Sequence, residues 1–195
     1  MWVTRFEWPV RDNEAATKAN IDAIFQKLAD NNFNAVILQV RGQADTFYPS
    51  PEEPWSTIIA SDTDNGPGFD PLAYAIEAAH ARGLEFHAYF NTHVCWQSGS
   101  GLSPTNPRHL FFQHCNAADP DRHDWLVHDS SGQPVQFEES GYVWMAPGVP
   151  EFQAYIRRQA MYLVQNYDID GIHFDRIRTP GPEYSYDPIS QARKA

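Results

Sequence analysis

The sequence predicts an α/β fold: a TIM-type (β/α) barrel, a partial one with about four βα units and long strand-to-helix loops. Three observations carry this expectation. Strand-like apolar runs alternate with helical patterns. The connections leaving strands are long, and those leaving helices are short. Polar residues recur on one face of the strands, where a sheet wrapped by helices on both sides would be apolar.

The elements follow in chain order. Trp2–Phe6 reads as the first strand. Asn13 to about Asp30 reads as a helix, with Ile21, Ile24, Phe25 and Leu28 at helical spacing. Ala35–Arg41 is the second strand. Asp70 followed by Pro71 is an N-cap and a first helical position. The helix after them carries Leu72, Ala75, Ile76 and Ala79 and stops at Gly83. Leu84–Asn91 is the third strand. Pro150 opens a third helix, with Phe152, Ile156, Ala160 and Leu163 on its apolar side, and Gly171–Asp175 is the fourth strand. Helices return to strands through Asn31 to Asn34, Arg82-Gly83 and Tyr167 to Asp170. Strands lead into helices through Gly42 to Phe69 and Thr92 to Val149. In parallel α/β folds the loops at the carboxyl ends of strands carry the site, so those two segments mark the functional edge.

Strand parity separates the barrel from a doubly wound sheet. Phe86, Ala88 and Phe90 share one face, and His87, Tyr89 and Asn91 the other. Ile172 and Phe174 alternate with His173 and Asp175. Val36, Leu38 and Val40 alternate with Ala35, Ile37, Gln39 and Arg41. The apolar face meets helices; the polar face lines a barrel interior that grows more polar toward the carboxyl end.

Length and composition set the outer bounds. With 195 residues, 42% hydrophobic and 14% aromatic, the chain suits one domain over 1–195, either a (β/α) barrel or the N-terminal half of one. The formal net charge of −11 argues against a nucleic-acid partner, because phosphate binding needs a basic surface. No run of 18 apolar residues offers a membrane span. The start, from Met1 to Arg5, reads as a strand and not as a signal peptide. Cys95 and Cys115 form one bridge or none, and so fix no compartment.

Asp175 is the leading catalytic candidate, since it ends the fourth strand on the polar face. A carboxylate there costs desolvation unless paired, and Arg176 and Arg178 lie within reach in sequence. The bland alternative is an Asp–Arg pair that braces the loop. Arg41, Gln43 and Asp45 leave the second strand and lead to Tyr48. Polar groups followed by aromatic rings suit sugar hydroxyls and sugar C–H faces. Trp55, Trp96, Trp125 and Trp144 lie in the long loops, either stacking on sugars or capping the rim as a satellite core. Asn91 and His93 end the third strand, with His87 and His173 deeper. These histidines, with His109, His114, His123 and His128, show no metal-ligand spacing, and no metal or other cofactor is expected. Glu138-Glu139 offers a second carboxylate or a solvated loop face. No dinucleotide fingerprint, P-loop or nucleophile elbow is present.

Read in order, several segments resemble one family. They are Trp2-Val3-Thr4-Arg5-Phe6, Asn34 to Arg41, Phe47-Tyr48-Pro49-Ser50 with Glu53-Pro54-Trp55-Ser56, and Gly68-Phe69-Asp70-Pro71-Leu72. Ala79 to Glu85, His87-Ala88-Tyr89-Phe90-Asn91, Pro147 to Glu151 and Asp168 to Asp175 complete the series. Together they resemble the glycosyl hydrolase-like 10 family of bacterial cell-envelope barrels. The resemblance implies a (β/α)8 barrel acting on polysaccharide, with some members cutting peptidoglycan glycan strands that lack stem peptides. It implies that Asp175 stands at the family's strand-four acid. It also implies a cell-envelope or secreted setting. Two positions depart from the family pattern: Arg176, where a second acid often follows, and Thr92-His93-Val94, where Pro and an aromatic are usual. The family's barrel continues for four more units, so the chain reads as an excised fragment or truncated product. The expected function is a glycoside hydrolase with Asp175 as its carboxylate. Arg41, Gln43, Asp45, His87, Asn91, His93, His173 and Arg178 would position substrate, and Tyr48, Trp55 and Trp96 would stack on sugars. The alternatives are a noncatalytic glycan-binding partial barrel and a metal-dependent hydrolase. A half barrel exposes two sheet edges and an unfinished interior, which predicts either a homodimer that completes a pseudo-barrel or a weakly soluble chain.

Overall fold

The computed structural model describes residues 1–97, 105–119, 121, 124–135 and 141–193. Its main sheet has four parallel strands in the order β1 (Trp2–Val3), β2 (Ala35–Arg41), β3 (Glu85–Asn91) and β6 (Gly171–Asp175). Each strand adds beside the one before it. A doubly wound sheet reverses direction partway; a barrel wall does not. The partial-barrel expectation is thereby met.

Three helices connect the strands: α1 (Glu14–Asp30), α2 (Pro71–His80) and α4 (Pro150–Asn166). The Asn13 side chain caps α1 by accepting from the Ala16 amide, and Asp70 caps α2 by accepting from Leu72 and Ala73. Past the end of α2, Gly83 takes a φ of +72°, a left-handed conformation that a Cβ disfavours. Ile21, Phe25, Leu28, Leu72, Ala75 and Ile76 from the helices meet Val36, Leu38, Phe86 and Ala88 from the sheet in one buried cluster.

Three sequence expectations need correction. The first strand pairs only over Trp2–Val3 instead of running to Phe6, because the Glu7 amide bonds back to the Thr4 carbonyl and turns the chain. The buried stripe of α4 is Phe152, Tyr155, Gln159 and Leu163; Ile156 and Ala160 face a groove beside β6. The third connection contains its own lobe. Its antiparallel pair, β4 (Val94–Gln97) and β5 (Tyr142–Trp144), packs with the one-turn helix α3 (Phe111–His114) around a second buried cluster. A last short helix, α5 (Pro188–Ala192), follows β6. No helix among the described residues is long and apolar enough to cross a membrane.

Candidate active site

Asn91 and Asp175 are register partners at the carboxyl ends of β3 and β6, where the longest loop begins. The half-buried Asp175 carboxylate accepts the Tyr89 hydroxyl at 2.7 Å on Oδ2 and the Arg176 amide at 2.7 Å on Oδ1. Arg176 has a φ of +52°, uncommon for a residue with a Cβ, and this turn brings its amide back onto the carboxylate. Burial alone would raise the Asp175 pKa. The Tyr89 hydroxyl, the Arg176 amide and the positive charges of Arg176 and Arg178 outweigh it, so the carboxyl sits below its ordinary range. Burial, then the bond to Asp175, pushes the Tyr89 phenol up to about 12. At neutral pH the pair is therefore a carboxylate and a neutral phenol.

Neither arginine bonds Asp175 through its side chain, contrary to the expected pairing. The Arg176 guanidinium lies 4.4 Å from the centre of the Tyr142 ring, and that of Arg178 lies 5.6 Å from the Trp144 ring. Strand β5 supplies both rings, so the lobe holds the cations near Asp175.

A second polar group surrounds Gly42. Arg5 is 2% exposed; its backbone amide donates to Gln39 Oε1 at 3.0 Å and its Nη2 to Gln97 Oε1 at 3.4 Å. A Cβ on Gly42 would run into the Arg5 guanidinium, so the close approach needs glycine. The Gly42 carbonyl accepts from Asn91 Nδ2, and the Gln43 amide donates to Asp45 Oδ1, each at 2.8 Å. Among the described residues, Arg5 Nε and Nη1, Gln43 Oε1 and Asn91 Oδ1 are buried with no partner. Buried donors and acceptors of this kind call for water or a ligand hydroxyl. Asn91, which bonds the Gly42 carbonyl and is the register partner of Asp175, links this group to the carboxylate.

Other expected site residues lie elsewhere. Arg41 is buried on the helix side of the sheet. The register shifts between Gln39 and Arg41, so Arg41 opposes Phe90 instead of continuing the inner face. There Arg41 Nη2 meets Glu53 Oε1 at 2.6 Å, Nη1 donates to the Asn91 carbonyl, and the guanidinium lies 4.7 Å from the Phe90 ring centre. The Tyr155 hydroxyl donates to the same Glu53 oxygen at 2.6 Å. Arg41 is thus a buried structural cation. Tyr48 is 0% exposed, packed by Tyr162 and Tyr167, and offers no face to a sugar. Trp96 is 4% exposed and meets His109 edge-on. It shares the second cluster with Trp125 and Trp144, which makes these three a satellite core. Trp55 is half-buried, with its ring against Gly66.

The histidines also separate. His87 pairs with Glu85 at 3.1 Å and opposes Gly171, four register positions below Asp175 and so roughly 13 Å down the strand. His93 lines the groove beside Phe152 and Phe174 on the helix side, and burial holds its pKa low. His173 faces the interior between the Trp2 and Tyr89 rings. Among the described residues no group of three or more His, Cys, Asp or Glu converges on a metal position. His123 and Glu138-Glu139 lie outside the described residues. A cavity of about 630 Å³ lies between Glu52, Arg108, His114 and Arg158, with the Trp125 ring in its wall covered by His114 at 3.8 Å; Asp175 does not line it.

The structure thus gathers Asp175, Gln43, Asp45 and Asn91 around the carboxyl end of the sheet, and adds Tyr89, Arg5 and Gln39. Alternation puts Tyr89 and Gln39 on the inner face without giving either a role. Arg5 gives no such signal, because it lies past the short β1 and turns inward only through the gap at Gly42.

Comparison with known proteins agrees with this architecture. The sequence profile described as Glycosyl hydrolase-like 10 matches residues 1–194. The chain is 32% identical over 177 residues to "Glycosyl hydrolase YngK" of Bacillus subtilis (strain 168), covering 89% of this chain and 31% of that protein. It is 28% identical over 191 residues to "Glycosyl hydrolase DigH" of Escherichia coli (strain K12), covering 89% of this chain and 39% of that protein. The chain therefore spans about a third of the length of these curated relatives. Among solved structures, alpha-L-fucosidase isoenzyme 2 from Paenibacillus thiaminolyticus superposes with a TM-score of 0.63 at 18% identity, covering 99% of this chain and 26% of that one. At that identity the likeness concerns the barrel fold.

Proposed function

The chain belongs to the glycosyl hydrolase-like 10 family, and from that premise we propose that it supplies the catalytic carboxylate, Asp175, of a glycoside hydrolase. The substrate is bacterial polysaccharide, with peptidoglycan glycan strands free of stem peptides as the first candidate. The setting is the cell envelope or the extracellular space. One observation carries the reading: Asp175 ends an inner strand face at the carboxyl edge of the sheet, ionised and fixed by two hydrogen bonds. A carboxyl held low suits a nucleophile, whereas a general acid needs a raised pKa.

In that role Asp175 attacks the anomeric carbon. The glycosidic C–O bond breaks, and the departing oxygen takes a proton from a second carboxyl group, about 5–5.5 Å away in retaining enzymes. Water then attacks the same carbon, gives a proton to that second carboxylate, and releases Asp175. Arg5, Gln43 and Asn91 bond sugar hydroxyls through their unused donors and acceptors, and Asp45 holds the Gln43 backbone beside them. His173 and Arg178 border this site and complete the sugar contacts.

A second reading is a noncatalytic glycan-binding partial barrel. It is favoured by the commitments of the nearby carboxylates: Glu53 to Arg41 and Tyr155, and Asp45 to the Gln43 amide. Digestion of peptide-free glycan strands, read by mass spectrometry for the parent and Asp175→Asn, separates the two. Short oligosaccharides from the parent alone support the hydrolase. Retention of strands by both proteins with no products supports the binding module.

Among the described residues, β1 and β6 stand at the two edges of the four-strand sheet. Each edge adjoins an apolar groove of about 370 Å³, one with Trp2, Ile24, Leu28 and Phe33, the other with Phe152, Ile156, Met161 and Phe174. The occupant of both is a second copy of this chain: a two-fold axis sets β1 of each copy beside β6 of the other and closes eight strands.

A further inference from the structure

The second core holds two thiols that the proposed hydrolysis does not use. Cys95 lies in β4, and Cys115 follows the last residue of α3, its amide bonded to the Phe111 carbonyl at 3.2 Å. Both are free and fully buried in the cluster with Trp96, Trp125 and Trp144. A backbone relay brings their segments together. The Met145 amide bonds the His93 carbonyl at 2.8 Å, the Ala146 amide bonds the Trp125 carbonyl at 2.7 Å, and the Trp125 amide bonds the His114 carbonyl at 3.3 Å. At the end of that relay Cys115 and Cys95 are buried in the same cluster, close enough for each sulfur to bear on the other.

A single buried cysteine is ordinary apolar filler. Two in mutual contact, from separate elements, are placed for a covalent link. We propose that Cys95 and Cys115 form a disulfide when the chain folds in an oxidising medium, tying β4 to the end of α3. The co-reactant is a low-molecular-weight disulfide. One cysteine thiolate attacks a sulfur of that disulfide, releasing its first thiol and leaving a mixed disulfide on the protein. The other cysteine attacks the protein-bound sulfur and releases the second thiol. Two electrons and two protons pass from the cysteine pair to the co-reactant.

The bond would bear on the site, because the same lobe carries Tyr142 and Trp144, over which Arg176 and Arg178 lie. Burial, reinforced by the neighbouring sulfur, pushes the Cys115 thiol up and disfavours its thiolate in the folded chain. Oxidation therefore runs during folding and slowly afterwards.

The test refolds the reduced chain with and without oxidised glutathione. Each product is then denatured, treated with iodoacetamide and weighed. The proposal expects no alkylation after oxidative refolding, a Cys95–Cys115 cross-linked peptide on digestion, and two alkyl groups on the control. It also expects the oxidised form to melt roughly 6–12 °C higher, a gain lost on reduction, since a closed loop of about 20 residues restricts the unfolded chain. Two alkylated thiols, glutathione adducts or intermolecular cross-links after oxidative refolding would overturn it. So would a bridged form that melts no higher than the reduced one. Every readout uses the parent chain, so no variant has to fold.

Discussion

The Tyr89 hydroxyl reaches Asp175 Oδ2 at 2.7 Å across the β3–β6 ladder, although the two residues are not direct register partners. Tyr89 opposes His173, and its long side chain extends upward to the carboxylate two positions on. The bond works in both directions. It helps hold Asp175 ionised against the cost of burial, and it adds to the burial that keeps the phenol neutral above its usual titration range. Tyr89 is a positioning residue that also sets the charge of the group it positions.

Tyr89→Phe should therefore raise the Asp175 pKa. With the hydroxyl gone, the burial cost faces only the Arg176 amide and the two arginine charges. The native carboxyl, depressed below its unfolded value, contributes stability above pH ~4 that is lost as pH falls through the folded pKa. The variant should lose both that stability and any hydrolytic activity at higher pH, with the acid limb displaced upward. Titration of the Asp175 carboxyl by NMR in parent and variant reads the shift without needing turnover. An unchanged midpoint would show that the hydroxyl does not govern the charge.

The Arg41–Glu53 pair supports the opposite prediction, one of stability. Both side chains are buried, and Glu53 also accepts from Tyr155 on α4, so the pair fastens the loop after β2 to the helix before β6. Glu53→Gln leaves a buried guanidinium without its countercharge and should cost about 3–5 kcal/mol in urea unfolding. The double variant Arg41→Met with Glu53→Gln removes the orphan charge and should recover part of that loss. Equal losses in single and double variants would mean the ion pair is not the source of the stability.

How much of this is legible in the sequence depends on the scale at which each feature is encoded. The α2 boundaries are local chemistry: Asp70 caps, Pro71 starts, and Gly83 adopts the left-handed turn. Asp175 follows from a strand end and an alternation. Arg41 does not, because one shifted register after Gln39 moves it from the inner face to the helix side, and alternation contains no sign of a bulge. The tryptophans mislead for a related reason. A loop that needs a core of its own has the same composition as a loop that binds sugar, and only the pairing of β4 with β5 distinguishes them. The stripe of α4 is rotated because Ile156 and Ala160 face the groove beside β6, a matter of neighbours and not of helical period.

That groove supports the last prediction. Phe174 is 42% exposed on the terminal strand although its parity directs it toward helices, and Met161 on α4 lies beside it. At the other end of the sheet Trp2 and Phe33 are exposed in the same way. Two apolar sides on one molecule exceed what isolated surface residues account for, and each is continuous with an edge strand. A two-fold dimer would cover both sides at once through two equal contacts. On that reading light scattering should give twice the chain mass across a concentration series. Met161→Lys, at an exposed helix position, should shift the mass toward the monomer while far-UV circular dichroism stays the same. A well-folded parent that remains monomeric across that range would sink the two-fold arrangement. Open-ended growth of the mass with concentration would also count against it, because a closed eight-strand pairing leaves no edge to extend.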